Sequence, residues 1–179
     1  MAKRIGVMLS GCGVMDGAEI HESVVTLLAI DRAGAQAVCI APDIDQMYVI
    51  NHLTGQEIKD EKRNVLVESA RIARGNIKNA KNVHVNEIDG LILPGGYGVV
   101  KNLSDFAFKG ENCHVQPDVA RLIREMIQAK KPVGVVCIAP AVMAKVAQEI
   151  GIKTQLTIGT DPETSAAILF KSSGRYASS

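Results

Sequence analysis

Residues 132 to 140 read Pro132-Val-Gly-Val-Val-Cys137-Ile-Ala-Pro140. The apolar run is too short for a helix and rich in valine, so it reads as a buried strand, and Pro140 marks the first turn of a helix that follows at once. A strand passing directly into a helix puts Cys137 at the carboxyl edge of a sheet, where open α/β folds gather ligands. The same step puts it just before a helix N-terminus, whose positive end favours the thiolate. Cys137 is therefore the candidate nucleophile of a strand-turn-helix elbow. A buried structural cysteine is the plainer reading of the same residue.

Outward from this turn, further short apolar runs at Arg4–Leu9, Ala35–Ala41 and Gly90–Leu93 alternate with stretches of helical period. That alternation predicts a parallel sheet covered on both faces. Ile20, Val24, Leu27 and Leu28 form one helical stripe, and Val119, Leu122, Ile123, Met126 and Ile127 another, each expected to be buried. The second helix is predicted to start at Pro117 and to end at Lys130-Lys131, a third to run from Asn64 to Arg74 before Gly75. Asp43–Lys62 has mixed polarity and a Thr54-Gly55 turn signal, and reads as a hairpin excursion from the sheet. Residues 1–165 are expected to make one domain and 166–179 a divergent, flexible tail.

Two loops add chemistry to the elbow. Leu91-Ile-Leu-Pro-Gly95-Gly96-Tyr-Gly98 ends a strand in paired glycines, whose amides approach a ligand closely. The N–H groups of Gly96 and Ile138 would form an oxyanion hole. Ser10-Gly11-Cys12-Gly13-Val-Met-Asp-Gly17-Ala-Glu19 is a glycine-rich loop with the spacing GxGxxxG, one residue longer than the dinucleotide fingerprint; Asp43 would be the matching ribose carboxylate. Gly11, Cys12 and Gly95 are candidate pocket-lining residues. Glu19, in a first helical turn, is either helix-end electrostatics or the carboxyl partner of the thiol. In the second case Glu19 should carry the proton of a coupled pair, and Cys137 should ionise below the roughly 8.5 of a free thiol. Lys101-Asn102 would anchor a substrate anion, with helix-entry capping by Asn102 or Ser104 as the equal alternative, and His114 would supply a base from a neighbouring loop or subunit.

Composition narrows the function classes. Twenty basic residues against nineteen acidic give a formal charge of +1, which provides no electrostatic footprint for nucleic acid or an anionic membrane. No apolar run reaches the roughly 18 residues of a membrane span. The four cysteines form no CxxC pair, and neither they nor the histidines have metal-ligand spacing. No metal or other cofactor is expected. The opening residues run straight into a strand without a signal-peptide core, which leads to the expectation of a cytoplasmic protein.

The blocks SGCGVMDGAEIHE, LLAIDRAGAQAVCIAPD, INHLTG, RNVLVESARIARG, LILPGGYGVVKNLS, KKPVGVVCIAP and LTIGTD occur in order between residues 10 and 161. Together they resemble the ElbB family (enhancing lycopene biosynthesis protein) of the PfpI-type, class I glutamine-amidotransferase-like superfamily. The resemblance implies a flavodoxin-like three-layer α/β sandwich, a homodimer, the elbow cysteine at Cys137 and its partner glutamate at Glu19. It also implies a link to isoprenoid biosynthesis and a cofactor-independent, glyoxalase III-like conversion of glyoxal to glycolate through a Cys137 hemithioacetal. Ile138 departs from the histidine that follows the nucleophile in other PfpI-type enzymes, so protease and amidotransferase triads are not expected. Family members continue beyond Thr160 through a strand pair and a closing helix that this chain does not match. A non-catalytic regulator or redox sensor using the same cysteine is the rival expectation.

Overall fold

The computed structural model describes residues 1–157 and 176–177. Its strands are β1 (Arg4–Met8), β2 (Gln36–Ala41), β3 (Ile50–Asn51), β4 (Gln56–Glu57), β5 (Ile77–Asn79), β6 (Gly90–Leu93), β7 (Val133–Val135), β8 (Leu156–Thr157) and β9 (Tyr176–Ala177). Its helices are α1 (Ile20–Arg32), α2 (Val65–Ala73), α3 (Gly98–Lys101), α4 (Phe106–Lys109), α5 (Pro117–Gln128) and α6 (Pro140–Glu149). Apart from Tyr176 and Ala177, the expected tail lies outside the described residues.

Five parallel strands form the central sheet in the order β5-β2-β1-β6-β7. Without the three-residue edge strand β5, β2 and β6 flank β1 and β7 follows, which is the flavodoxin-like order. Alternation along β1 explains the layers. Met8 belongs to the core on one face, with Leu91 and Leu93, beneath Val119, Leu122, Ile123 and Met126 of α5 and Val142 and Val146 of α6. Val7 and Leu9 join the core on the other face, with Ile30 of α1 and Val65 of α2. The chain is thus a flavodoxin-like α/β sandwich with helices on both faces of the sheet.

Local chemistry sets the ends of these elements. Asn64 caps α2 by accepting from the Val67 N–H at 3.0 Å, and Gln116 caps α5, accepting from Val119 at 2.9 Å with Pro117 in the first turn. β3 and β4 form the small hairpin, closed by a turn at residues 52–55. Lys131 does not attend the end of its own helix. Its Nζ donates to the Val85 and Ile88 carbonyls at 2.7 and 2.6 Å, pinning the segment before β6.

The stripe expected on α1 is corrected. Ile20, Val24 and Leu28 are exposed, while Ser23 and Ile30 are buried and Leu27 packs against the core. Positions 23, 27 and 30 lie at i, i+4 and i+7, so they are the face that the sheet selects. The exposed row runs along the flank of α1. Between this helix and the face of β6 and β7, an open apolar groove of about 580 Å³ is lined by Ile5, Ala29, Ile92 and Gly134 among others.

Leu122 is fully buried under the sheet. Leu122→Ala should destabilise the fold by about 2–5 kcal/mol through lost transfer energy and a residual cavity. Urea unfolding should show a lower midpoint with an unchanged slope.

Candidate active site at the strand-to-helix elbow

Strand β7 stops at Val135, two residues before the predicted end, because the turn begins there. The Val136 N–H donates to the Leu93 carbonyl (3.0 Å) and the Ala139 N–H to the Val136 carbonyl (3.0 Å). Cys137, at the top of this turn, has a left-handed backbone with φ of 57°, a conformation that costs a non-glycine residue roughly 1–2 kcal/mol. Its side chain is exposed, unlike those of the buried Cys39 and Cys113.

Three groups converge on the sulfur. The Glu22 carboxylate raises the thiol pKa, and the Gly96 and Ile138 N–H groups lower it. The Gly95 N–H in turn donates to Glu22 Oε2 at 2.7 Å and holds that carboxylate in place. Gly95 tolerates no side chain. A Cβ there would overlap the Cys137 Cβ and stand 2.6 Å from Glu22 Oε2 and 3.0 Å from Sγ. Gly96 has φ of 97°, and a Cβ on it would run into the Gly17 carbonyl and the Glu19 amide. Both glycines are therefore required by close approach and not only by turn geometry.

The carboxyl group beside the thiol is thus Glu22, and Glu19 takes a different position. Glu19 is the N-cap of α1. Its Oε2 accepts from the Glu22 N–H at 2.7 Å, its Oε1 lies 3.0 Å from His21 Nδ1, and its own N–H donates to the Gly95 carbonyl at 2.9 Å. The Glu22 amide, followed by the bond and charge of His21, holds the Glu19 carboxyl below the usual carboxylate range against partial burial. The expectation that Glu19 carries a proton shared with the thiol is corrected accordingly.

The expected acidity of Cys137 is corrected too. Burial raises the thiol above its ordinary value, the charge of Glu22 raises it further, and the Gly96 and Ile138 amides only partly offset this. Cys12, Cys39 and Cys113 are likewise raised, first by burial. Cys137 differs from Cys39 and Cys113 in exposure, not in a lowered pKa.

Above the sulfur, Val14, Gly96, Tyr97, Cys137 and Ile138 line a pocket of about 140 Å³. Gly11, Cys12 and Gly95 are not among its walls. Gly11 donates to Ser69 Oγ at 2.9 Å, and Cys12 faces Glu68 and Arg71 on the α2 side of the loop. His114 is 78% exposed and lies 3.8 Å from Asp105, so its side chain turns to solvent. Asp43 accepts from Asn64 Nδ2 at 2.8 Å, and Glu19 places a carboxylate where a dinucleotide phosphate would meet the start of α1. Lys101 Nζ donates to the Met15 carbonyl at 2.9 Å. Among the described residues no group of three His, Cys, Asp or Glu side chains is arranged to hold a metal, and no helix is long and apolar enough to cross a membrane.

The role of two residues differs from the sequence reading. Glu22 has a signal in the sequence, since Glu19-x-x-Glu22 has the spacing of a capping box and assigns the first glutamate to the helix end. Asn102, expected as part of an anion anchor or as a helix-entry cap, does neither. Its Nδ2 donates to the Ser10 and Asp16 carbonyls at 2.9 and 2.8 Å, and its Oδ1 accepts from the Met47 N–H at 2.9 Å, tying the glycine-rich loop to the excursion.

Comparison with known proteins places this geometry. No family model matches the chain. The human glutamine amidotransferase-like class 1 domain-containing protein 3, mitochondrial, is 47% identical over 162 residues, 90% of this chain and 59% of that protein. The crystal structure of an isoprenoid biosynthesis protein with amidotransferase-like domain from Ehrlichia chaffeensis is 40% identical, covers 98% of this chain and 79% of its own, and superposes with a TM-score of 0.87. A ThiJ/PfpI domain protein from Brachyspira murdochii, 14% identical, shares the fold over 98% of this chain and 78% of its own with a TM-score of 0.59. The chain belongs to the family of proteins with an amidotransferase-like domain. It spans about 59% of the length of the curated human relative. The cytoplasmic expectation is overturned by these relatives, because the human protein and the curated rat and zebrafish ES1 relatives are all named as mitochondrial.

The two glutamates should separate experimentally. Glu19→Ala should lower stability at pH 7 by about 0.5–2 kcal/mol through the lost cap. Because the folded Glu19 pKa is lowered, this contribution is present above the unfolded value of about 4.3 and is lost as pH falls through the folded one, so urea melts should converge in acid. Glu22→Gln removes a charge that raises the Cys137 pKa, so the pH profile of Cys137 alkylation by iodoacetamide, followed by peptide mapping, should move to lower pH.

Proposed function

We propose that the protein is a cofactor-independent, glyoxalase-like enzyme of the ElbB type that converts a small α-oxoaldehyde such as glyoxal to the hydroxy acid. The observation that carries this reading is a thiol set beside a carboxylate and two backbone amides in a pocket with uncharged walls. A cavity of about 150 Å³ takes a molecule the size of benzene, so a pocket of about 140 Å³ suits a substrate of a few heavy atoms. Glutamine fits poorly. Its ammonium and carboxylate would meet only Val14, Gly96, Tyr97, Cys137 and Ile138, and unpaired charges are costly to desolvate.

With the thiol pKa raised, the resting sulfur is protonated, and Glu22 accepts its proton as Sγ attacks one aldehyde carbon. The resulting alkoxide takes up a proton to give the hemithioacetal, and the Gly96 and Ile138 amides lie beside the carbon that carries it. A proton then moves from that carbon to its neighbour through an enediol, with Glu22 as carrier. One carbon is oxidised to a thioester and the other reduced to a hydroxymethyl group. Water cleaves the thioester, frees the thiol and releases glycolate, so the sum is glyoxal plus water to glycolic acid with no external oxidant. A role linked to isoprenoid biosynthesis belongs to the same proposal and draws on the Ehrlichia relative.

Purified protein incubated with glyoxal should form glycolate. Cys137→Ala should abolish turnover, and Glu22→Gln should reduce it by about 10²–10⁴-fold, the usual range for a lost acid-base group. Full turnover by Cys137→Ala would refute the assignment. Stoichiometric oxidation of Cys137 by peroxide with no glycolate formed would favour the sensor instead.

The family resemblance also supports association of two copies. The exposed row of Ile20, Val24, Val25 and Leu28 along α1 supplies an apolar surface for it. Val24→Glu with Leu28→Glu should shift the sedimentation coefficient from dimer to monomer; a chain that sediments as a monomer before substitution refutes this part.

A further inference from the structure

Two walls of the Cys137 pocket, Val14 and Tyr97, are apolar side chains that stand exposed at its mouth. They come from different segments, the glycine-rich loop and the turn before α3. One backbone bond joins them, from the Tyr97 N–H to the Val14 carbonyl at 2.8 Å. Lys101, one turn beyond Tyr97 on α3, joins them a second time. Its Nζ donates to the carbonyl of Met15, the neighbour of Val14, at 2.9 Å and lies 5.3 Å from the centroid of the Tyr97 ring. On its other side, Nζ lies 5.8 Å from the Tyr48 ring, which packs at 5.8 Å against Phe108. The ammonium is thus held between two aromatic rings while it grips the loop backbone.

We propose that Lys101 is a positioning residue that fixes the mouth of the Cys137 pocket, and so sets the size of electrophile that reaches the sulfur. A cation above a ring face is attracted to the ring quadrupole, and a charged donor strengthens the bond to the Met15 carbonyl. Both effects need the positive charge. A neutral side chain of similar length leaves the Tyr97–Val14 and Gly98–Gly17 backbone bonds and the Asn102 bonds to Ser10 and Asp16 to hold the loop, but frees Met15 and the Tyr97 ring, so the mouth loosens. Arginine keeps the charge, stacks on aromatic rings and still donates to a carbonyl. Lys101 touches neither sulfur nor Glu22 in this arrangement, so the chemistry at Cys137 is left in place. The substrate anchor expected of this residue from its sequence position is replaced by a role in shaping the site.

The test compares two thiol reagents, small iodoacetamide and bulky N-phenylmaleimide, with rates at Cys137 resolved by peptide mapping. Lys101→Met should raise the bulky-to-small rate ratio about 3–10-fold, and Lys101→Arg should restore it to within 2-fold. Lys101→Gln, which keeps a donor for the Met15 carbonyl but no charge, should behave like Lys101→Met. Circular dichroism and thermal melting verify folding, and should Lys101→Met not fold, Lys101→Gln against Lys101→Arg makes the same comparison. An unchanged ratio in the folded neutral variants, or an equal rise in Lys101→Arg, overturns the proposal. The size of the electrophile that turns over rests on the aldehyde reading above. There Lys101→Met should raise KM for glyoxal several-fold with kcat within about 2-fold. Because alkylation requires no turnover, failure of the glyoxal assay leaves the alkylation test standing.

Discussion

The site depends on the missing side chain at Gly95. Cys137 on the elbow and Glu22 on α1 belong to elements more than a hundred residues apart, and they meet only because nothing stands between them at this position. Gly95 also supplies both ends of its peptide frame. Its N–H fixes Glu22, and its carbonyl receives the Glu19 N–H at the start of α1. One residue of the turn after β6 therefore sets the distance of a helix from a neighbouring turn. Any Cβ would push the carboxylate, the sulfur or both away, and the fold would keep its sheet while losing the approach of the two groups.

The two acidic residues of α1 divide their work through helical geometry. Glu19 has extended backbone angles (φ −66°, ψ 120°), so its side chain folds over the exposed amides of the first turn and stays ionised. Glu22, one turn later, is free of that duty and reaches across to the sulfur. Its charge raises the thiol pKa, while the amides of Gly96 and Ile138 pull the other way. The sulfur is held as a thiol next to a ready acceptor. That suits a reaction in which proton transfer accompanies attack better than one that needs a standing thiolate.

Much of this architecture was legible in the residues. The runs at Arg4–Leu9 and Gly90–Leu93, the Thr54-Gly55 turn and the Pro140 start all have local causes, and local causes survive folding. The burial of α1 was not legible, because periodicity reveals an apolar stripe but not the surface that covers it. Strand β5 and helices α3 and α4 were missed because elements of three or four residues carry no period of their own. At the site, Cys137, Gly96 and Ile138 could be brought together from the turn chemistry alone. Choosing between Glu19 and Glu22 turns on which of them caps α1, which the Glu19-x-x-Glu22 spacing signals and the extended angles of Glu19 settle. Val14 and Tyr97 entered the pocket through contacts between loops far apart in sequence, which no local pattern encodes.

The left-handed backbone at Cys137 has a consequence for how the chain can change. Glycine adopts φ near 57° without steric penalty, so a glycine at 137 would relieve about 1–2 kcal/mol of backbone strain at the loss of a side chain that is exposed on one side. Stability and the proposed activity are opposed at this position. Under selection for folding alone the cysteine would drift toward glycine, and with it the proposed nucleophile would be lost.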